Sequence, residues 1–347
     1  MRRNRSSDRH TTARFAALSL LLAAGLALGA EPKEWLERMN NALTTRNYVG
    51  VFTHMRGDRA ETLRIIHRVK GKDVSERLLS LDGSEREFIR EGDELTCYFP
   101  DRREVLVERG SPDAPLLALP SLDGGDSSVY EIQGGERERL LGRKTRMVAL
   151  TPRDEYRYGY RLWIDEETSM PLKTQLCDQQ GKVIEQILFS NIDLPERIPD
   201  SMFKPAVDAS TFRWLRAERQ QVAMNSAPAL WGAMRLPPGF RMATRGAQSM
   251  PGSSEPVAHL VFTDGVASVS VFIEPRKADA PAQQGPARVG SSSAFSTVVD
   301  GHQVTAVGEV PASTVQFIAT QVKATSTKTS PAATQGLGLA PPTPRRK

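Results

Sequence analysis

Between Tyr156 and Ile192 the chain reads YRYGYRLWIDEETSMPLKTQLCDQQGKVIEQILFSNI, and this run restricts the fold around it to antiparallel β structure. Tyr158, Tyr160, Leu162 and Ile164 alternate with Arg157, Gly159, Arg161 and Trp163, the period of two that marks a strand with differently used faces. Asp165–Ser169 supplies a turn, and Leu172, Thr174 and Leu176 resume the alternation. Asp178–Gly181 suits a hairpin connection before Val183–Phe189 returns as a third strand. Such a meander needs cover on one face and can leave the other open. It carries no catalytic pattern.

The same pattern predicts strands over Tyr48–Met55, Ala60–Val69, Val74–Leu81, Arg86–Arg90, Leu95–Phe99, Glu104–Glu108, Val129–Gln133 and Arg143–Thr151. Arg56-Gly57-Asp58, Lys70-Gly71-Lys72 and Asp82-Gly83 are natural hairpin turns between them. Pro32–Asn47 reads as a helix with Trp35, Leu36, Met39 and Leu43 on one stripe. Even spacing of this kind predicts one long, curling antiparallel sheet. The run Ser111–Asp126 interrupts it with Leu116, Leu117, Leu119 and Leu122 among prolines. An apolar loop is out of place on a surface. It is either a buried plug at the end of the sheet or a lid over an apolar cavity.

After Pro195 the composition changes. Residues 206–234 are expected to form an interdomain linker of helical and irregular character, and Leu236-Pro237-Pro238-Gly239-Phe240 opens a second unit. In that unit His259–Phe262 and Val266–Glu274 flank Thr263-Asp264-Gly265 as a hairpin, and Ser293–Asp300 pairs with Gln303–Val310. Pro311–Lys323 follows as a helix. The expected plan is a leader over 1–30, a large domain over 31–205, the linker, a small β/α domain over 235–323, and a disordered Thr/Pro/Ala-rich tail over 324–347. The fold class is α+β, mainly antiparallel β.

Residues 1–14 hold five arginines against one aspartate, and Phe15–Leu28 is free of charge, the layout of a secretory signal with cleavage expected near Gly29 or Ala30. A retained amphipathic anchor is the alternative. No cysteine follows the cleavage site, which argues against a lipoprotein, and no later stretch is apolar for long enough to cross a membrane. Residues 31–205 carry 27 Lys/Arg against 32 Asp/Glu, and residues 206–347 carry 14 against 8. An acidic front and a basic rear point to two domains with different partners: anionic lipid headgroups or an acidic peptide suit the rear, and an exported chain meets no nucleic acid.

Reactive constellations are missing. There is no nucleophile elbow, HExxH, Walker loop or dinucleotide fingerprint, so no catalytic residue, cofactor or metal is assigned. His54 and His67 fall on neighbouring predicted strands without a third ligand. Two cysteines in an oxidising compartment invite a Cys97–Cys177 bridge, although strand parity sets them on opposite faces. What remains is binding. At about 0.8 kcal/mol per buried methylene, a chain of about twelve carbons gains on the order of 10 kcal/mol in an apolar trough before ordering costs. Open sheet edges can also accept an extended peptide by strand addition. Parity places Leu95, Phe99, Tyr158, Tyr160 and Leu162, together with Leu116, Leu117 and Leu119, as the candidate groove. Exposed basic and aromatic positions, Arg213, Trp214, Arg216, Trp231, Arg241 and Arg245, are the candidate peptide site.

The order of the helix at Trp35–Asn47, YVGVF, LDGSEREFIREGDELTCYFPD, the opening meander, LPPGF, LVFTDGVASVSVFIE and GEVP resembles the periplasmic sigma-E regulators of the RseB/MucB family over about residues 32–323. That resemblance implies a large unclosed barrel like the lipoprotein carriers, with helices in its mouth, joined to a small antiparallel domain. It also implies the partner, the periplasmic domain of a transmembrane anti-sigma factor of the RseA/MucA type, which such a regulator shields from the first protease. Lipopolysaccharide or lipoprotein acyl chains would relieve the protection. A periplasmic lipid or lipoprotein carrier is the alternative function, and a homodimer is compatible with the sequence.

Overall fold

The computed structural model describes residues 31–83, 85–109, 115–117, 119–120, 127–217, 230–248, 257–276 and 283–325. The expected leader, nearly all of the expected tail and most of Ser111–Asp126 lie outside the described residues. Pro32 opens helix α1 (Pro32–Thr45), where its fixed φ suits the first turn and its missing N–H breaks no helix bond. Trp35, Leu36, Met39 and Ala42 form the buried stripe of this helix.

Strands follow in hairpin succession: β1 (Tyr48–Arg56), β2 (Arg59–Lys70), β3 (Asp73–Ser80), β4 (Glu87–Glu91), β5 (Glu94–Phe99) and β6 (Glu104–Arg109). Beyond the leucine loop come β7 (Tyr130–Leu140), β8 (Arg143–Pro152), β9 (Gly159–Asp165), β10 (Pro171–Cys177) and β11 (Val183–Asp193). With β12 (Arg213–Ala217) they make one 12-stranded sheet in the order β12-β6-β5-β4-β3-β2-β1-β11-β10-β9-β8-β7. The β1–β11 pairing joins the two hairpin ribbons, so that Phe52 lies opposite both Leu63 and Phe189. β7 and β12 are left as edges, and the sheet does not close.

The expected helical and irregular character is corrected at Arg213–Ala217 by β12, which runs parallel to β6, the one parallel pairing in this sheet among the described residues. Its stabilising partner lies far away in sequence: Arg213 forms an ion pair with Glu104, 109 residues earlier. Nothing in the local pattern signals such a contact.

The second unit comprises β13 (Leu230–Ala233), β14 (Arg241–Gln248), β15 (Val257–Thr263), β16 (Ser268–Pro275), β17 (Gly285–Val289), β18 (Ser292–Val299), β19 (His302–Gly308), helix α2 (Ala312–Gln321) and β20 (Val322–Thr325). Six strands form a sheet in the order β14-β15-β16-β19-β18-β17, and β13 pairs with β20. Helix α2 stops at Gln321 because Val322 turns extended to enter that pair. Leu260, Phe262, Val269, Val271, Val304, Ala306, Val315 and Ile318 are fully buried between sheet and helix. At roughly 1.5–3 kcal/mol for each large apolar side chain buried, this cluster is the chief source of the small domain's stability.

Candidate functional site

Register shows how the groove is built. Phe52 pairs with Leu63 and Phe189, Gly50 with Ile65, Ile65 with Leu78, and Leu78 with Phe88, so these positions share one face of the large sheet. The same face continues through Ile187, Thr174, Leu162 and Val148 on the other ribbon. Helix α1 covers it over Val148, Leu150, Leu162 and Ile164, while Leu116, Leu117 and Leu119 pack against Phe52, Leu63, Ile65, Leu172 and Phe189. The opposite face is covered by Ile198, Phe203, Val207, Ala209 and Phe212.

Most of the expected groove residues are therefore on one face. Leu117 is buried, and Leu116 and Leu119 are half-buried within the same cluster. Tyr160 and Leu162 lie under α1. Leu95 and Phe99 share the face through Phe88 and Cys97 but stand apart from the cluster; both remain half-buried, as do Phe88 and Leu106. Tyr158 precedes β9 and belongs to neither inner cluster, because the alternation begins only at Gly159.

The leucine loop is also held by a polar anchor that the residue pattern did not reveal. Glu76, 1% exposed, accepts a 2.9 Å hydrogen bond from the Leu116 N–H, and Arg90 lies 3.3 Å from the same oxygen. His67 stands 4.0 Å from the other oxygen and stacks on Tyr48 with ring centroids 4.6 Å apart. The His67 ring donates from Nδ1 to the Arg46 carbonyl at 2.9 Å, and burial holds its pKa below the usual histidine value. Leu117 recovers about 1.5–3 kcal/mol at full burial, and the half-buried Leu116 and Leu119 recover less. Ordering a loop backbone costs about 1–2 kcal/mol per residue. Leucine burial alone does not exceed that cost, so the Glu76 hydrogen bond contributes to the loop's seating.

The small domain docks at one end of this trough. Arg157, fully buried, lies 2.6 Å from Asp264 and 2.9 Å from Asp154, and donates 2.5 Å to the Pro238 carbonyl. Its guanidinium also faces the rings of Tyr130 and Phe240. Asp264 holds its own hairpin turn, accepting from the N–H groups of Val266 at 2.8 Å and Ala267 at 2.7 Å. The Tyr130 hydroxyl donates to it at 3.3 Å, and burial with the neighbouring carboxylate pushes that phenol far up. Thr314 of α2 adds a 2.7 Å hydrogen bond to the Tyr156 carbonyl. Arg157 carries no sequence signal of this role, since within an alternating strand it reads as a solvent-facing position.

The expected peptide residues do not form one patch. Arg213, Trp214 and Arg216 are exposed along edge strand β12, where the Trp214 ring meets Tyr98 edge-on and its Nε1 donates 3.3 Å to the Ala209 carbonyl. Arg241 and Arg245 are exposed on β14, an edge of the small sheet. Trp231 requires correction: it is 4% exposed, packs in the small-domain core and meets His302 at 4.9 Å, so it offers no surface to a peptide. Leu230–Ala233 pairs with β20, which draws that end of the expected linker into the small domain.

Cys97 and Cys177 are both free and buried, on β5 and β10, which five other strands separate; no bridge is formed, in line with the strand parity that set them on opposite faces. His54 is occupied by Glu185 at 2.7 Å, and among the described residues no group of three metal-ligating side chains exists.

An unclosed sheet with an apolar, partly covered face, docked to a second sheet domain, sets the architecture of this chain. Residues 31–207 match the MucB/RseB N-terminal domain family and residues 225–323 the MucB/RseB C-terminal domain family, and the chain belongs to the MucB/RseB family of regulatory proteins. The sigma factor AlgU regulatory protein MucB of Pseudomonas aeruginosa is 30% identical over 319 residues, covering 90% of this chain and 97% of its own. The sigma-E factor regulatory protein RseB of Escherichia coli is 27% identical over 310 residues, 88% and 94% of the two chains. Among solved structures, the Pseudomonas aeruginosa MucA/MucB complex matches with a TM-score of 0.65 at 28% identity, covering 86% of this chain and 100% of that one. A crystal structure of MucB alone, also 28% identical, matches with a TM-score of 0.58 over 86% of this chain and 99% of that one.

Proposed function

We propose that this protein is a periplasmic negative regulator of sigma-E-type envelope stress signalling. It binds the periplasmic part of a transmembrane anti-sigma factor and shields that segment from regulated proteolysis. Acyl chains of lipopolysaccharide or lipoprotein, entering the trough of the large domain, relieve the protection. The observation that carries this reading is the likeness to MucB across both domains, which extends to MucB in its complex with MucA. The trough supports the second part, since half-buried Phe88, Leu95, Phe99 and Leu106 extend its apolar face beyond the leucine loop. For ligand to relieve protection, it must bind the peptide-free form better than the peptide-bound form.

The test offers the mature chain a synthetic periplasmic segment of a MucA-type anti-sigma factor. Calorimetry reads binding, and a protease digest reads protection. The expected result is a saturable complex that slows cleavage and is weakened by lipopolysaccharide. No binding at micromolar peptide, with acyl-chain transfer to acceptor membranes instead, would replace this reading with that of a lipid carrier.

A further inference from the structure

Two acidic side chains meet across the seam. Glu185 projects from β11 of the large sheet and Glu309 follows β19 of the small one, and both line a cavity of about 120 Å³ together with Tyr160, Leu176, Ile187 and Val266. The Ser291 hydroxyl donates to Glu309 and also lies within reach of Glu185. Behind Glu185, His54 Nε2 stands 2.7 Å away and Arg56 Nε donates at 2.9 Å. His54 and Arg56 in turn line a cleft of about 1260 Å³, whose far wall is formed by Arg288 and Gly290 of the small domain. The acidic pair is thus the partition between a polar interdomain cleft and a cavity beside the leucine loop.

Two ionised carboxylates in contact repel strongly in a dry seam, whereas one shared proton turns the contact into a hydrogen bond. Burial pushes the Glu185 carboxyl up, but hydrogen bonds from His54, Arg56 and Ser291 outweigh it and hold that group at about 2. Glu309 is raised by burial and by the charge of Glu185. We propose that Glu185 and Glu309 form a proton-shared clasp between the domains: protonated Glu309 donates to the Glu185 carboxylate and keeps the seam shut, and loss of that proton opens the partition. The clasp goes beyond the regulatory reading, because it operates whichever ligand the trough accepts.

The other charged and titratable groups facing the pair are His54 and Arg56 from β1, Tyr160 from β9 and Asp264 from the β15–β16 turn. Burial first, then the surrounding acids, keeps the Tyr160 phenol protonated, and Asp264 is engaged by Arg157. His54 and Glu185 sit on paired strands of one sheet, so their contact lies within a domain and not across the seam. The sign follows. A Glu309 pKa raised on docking favours the docked form below the ordinary carboxyl range, and that gain is lost as pH rises through the raised value. Glu185, held low, loses its contribution only in strong acid.

Spin labels at Lys182→Cys and Arg288→Cys, exposed on opposite walls of the cleft, report the seam in the full mature chain. The native thiols compete poorly for label, since both are buried and burial pushes Cys97 up to about 11. Between about pH 4 and about pH 8, a range spanning the ordinary carboxyl and histidine values, the label distance should lengthen or broaden. Glu309→Gln, which keeps a donor but cannot titrate, should stay short throughout, and His54→Gln should still open. Far-UV circular dichroism on the same samples should stay constant. A distance independent of pH overturns the proposal, as does opening that survives Glu309→Gln, opening abolished by His54→Gln, or loss of β signal at the transition.

Discussion

Arg157 Nη1 lies 2.6 Å from Asp264 Oδ2, and neither side chain exposes any surface to solvent. The pair joins the meander of the large domain to the β15–β16 hairpin of the small one. Removing either partner strands a buried charge, which costs about 3–5 kcal/mol, more than an exposed pair could contribute. Arg157→Ala and Asp264→Ala should each lower the urea unfolding free energy by that amount. Arg157→Met combined with Asp264→Asn should recover part of the loss, because the fully buried site no longer holds a bare charge, the partly exposed Asp154 keeps its 3.0 Å bond from the Tyr156 N–H, and the Asn carbonyl still accepts from the turn. Equal losses in the single and double variants would show that packing, not charge, dominates the seam.

Gly239 makes the second close approach across the same seam. Its φ is +76°, and a Cβ placed there would sit 2.8 Å from Val129 Cγ1. Gly239→Ala therefore meets both backbone strain and a clash, and should cost about 1–3 kcal/mol, read as a lowered Tm. Val129→Ala in the same chain should relieve the steric part only. A Tm unchanged by Gly239→Ala would mean that the two domains separate easily at this point.

Alternation over Tyr48–Ile192 was enough to recover the hairpin ribbons, because each strand there pairs with its chain neighbour or with a ribbon built the same way. Register places Leu95, Phe99, Tyr160 and Leu162 on one face of the sheet. The failures have a common cause. β12, the buried state of Trp231 and the Arg157–Asp264 pair all depend on contacts distant in sequence, and a residue type alone does not report its partner. An arginine in an alternating strand looks solvated until a second domain closes over it. Glu76 and Glu185 were invisible for the same reason, each reading as a strand's polar position.

The leucine loop can be tested through Leu117, 7% exposed among Phe52, Ile65, Met170 and Leu172. As a plug it contributes to folding, and Leu117→Ala should cost about 2–5 kcal/mol. As a displaceable lid it contributes little, because its burial is balanced by the ordering of its loop, and Leu117→Asp should weaken acyl-chain binding while the unfolding midpoint barely moves. Glu76→Gln weakens the acceptor for the Leu116 N–H in the trough. Under the lid reading, it should raise acyl affinity by loosening the loop. Lower stability with unchanged acyl affinity would identify the plug.

Edge strand β12 is the part of the expected peptide site that offers backbone as well as side chains. Its inner neighbour is β6, its other edge has no strand partner among the described residues, and Trp214 and Leu215 are 47% and 38% exposed. An extended peptide added there would gain main-chain hydrogen bonds and two apolar contacts, with Arg216 beside them. Exposed positions contribute little to folding, usually within about 0.5 kcal/mol, whereas an aromatic anchor at the centre of an interface contributes about 2 kcal/mol or more to binding. Trp214→Ala should therefore weaken an anti-sigma peptide by roughly thirtyfold while unfolding free energy falls by about 1 kcal/mol at most, the share owed to its contact with Tyr98. Arg241→Ala and Arg245→Ala, on the small domain, should weaken it less and with a steeper salt dependence, as rim charges do. Full affinity in Trp214→Ala, with loss in the arginine variants, would move the peptide from β12 to β14.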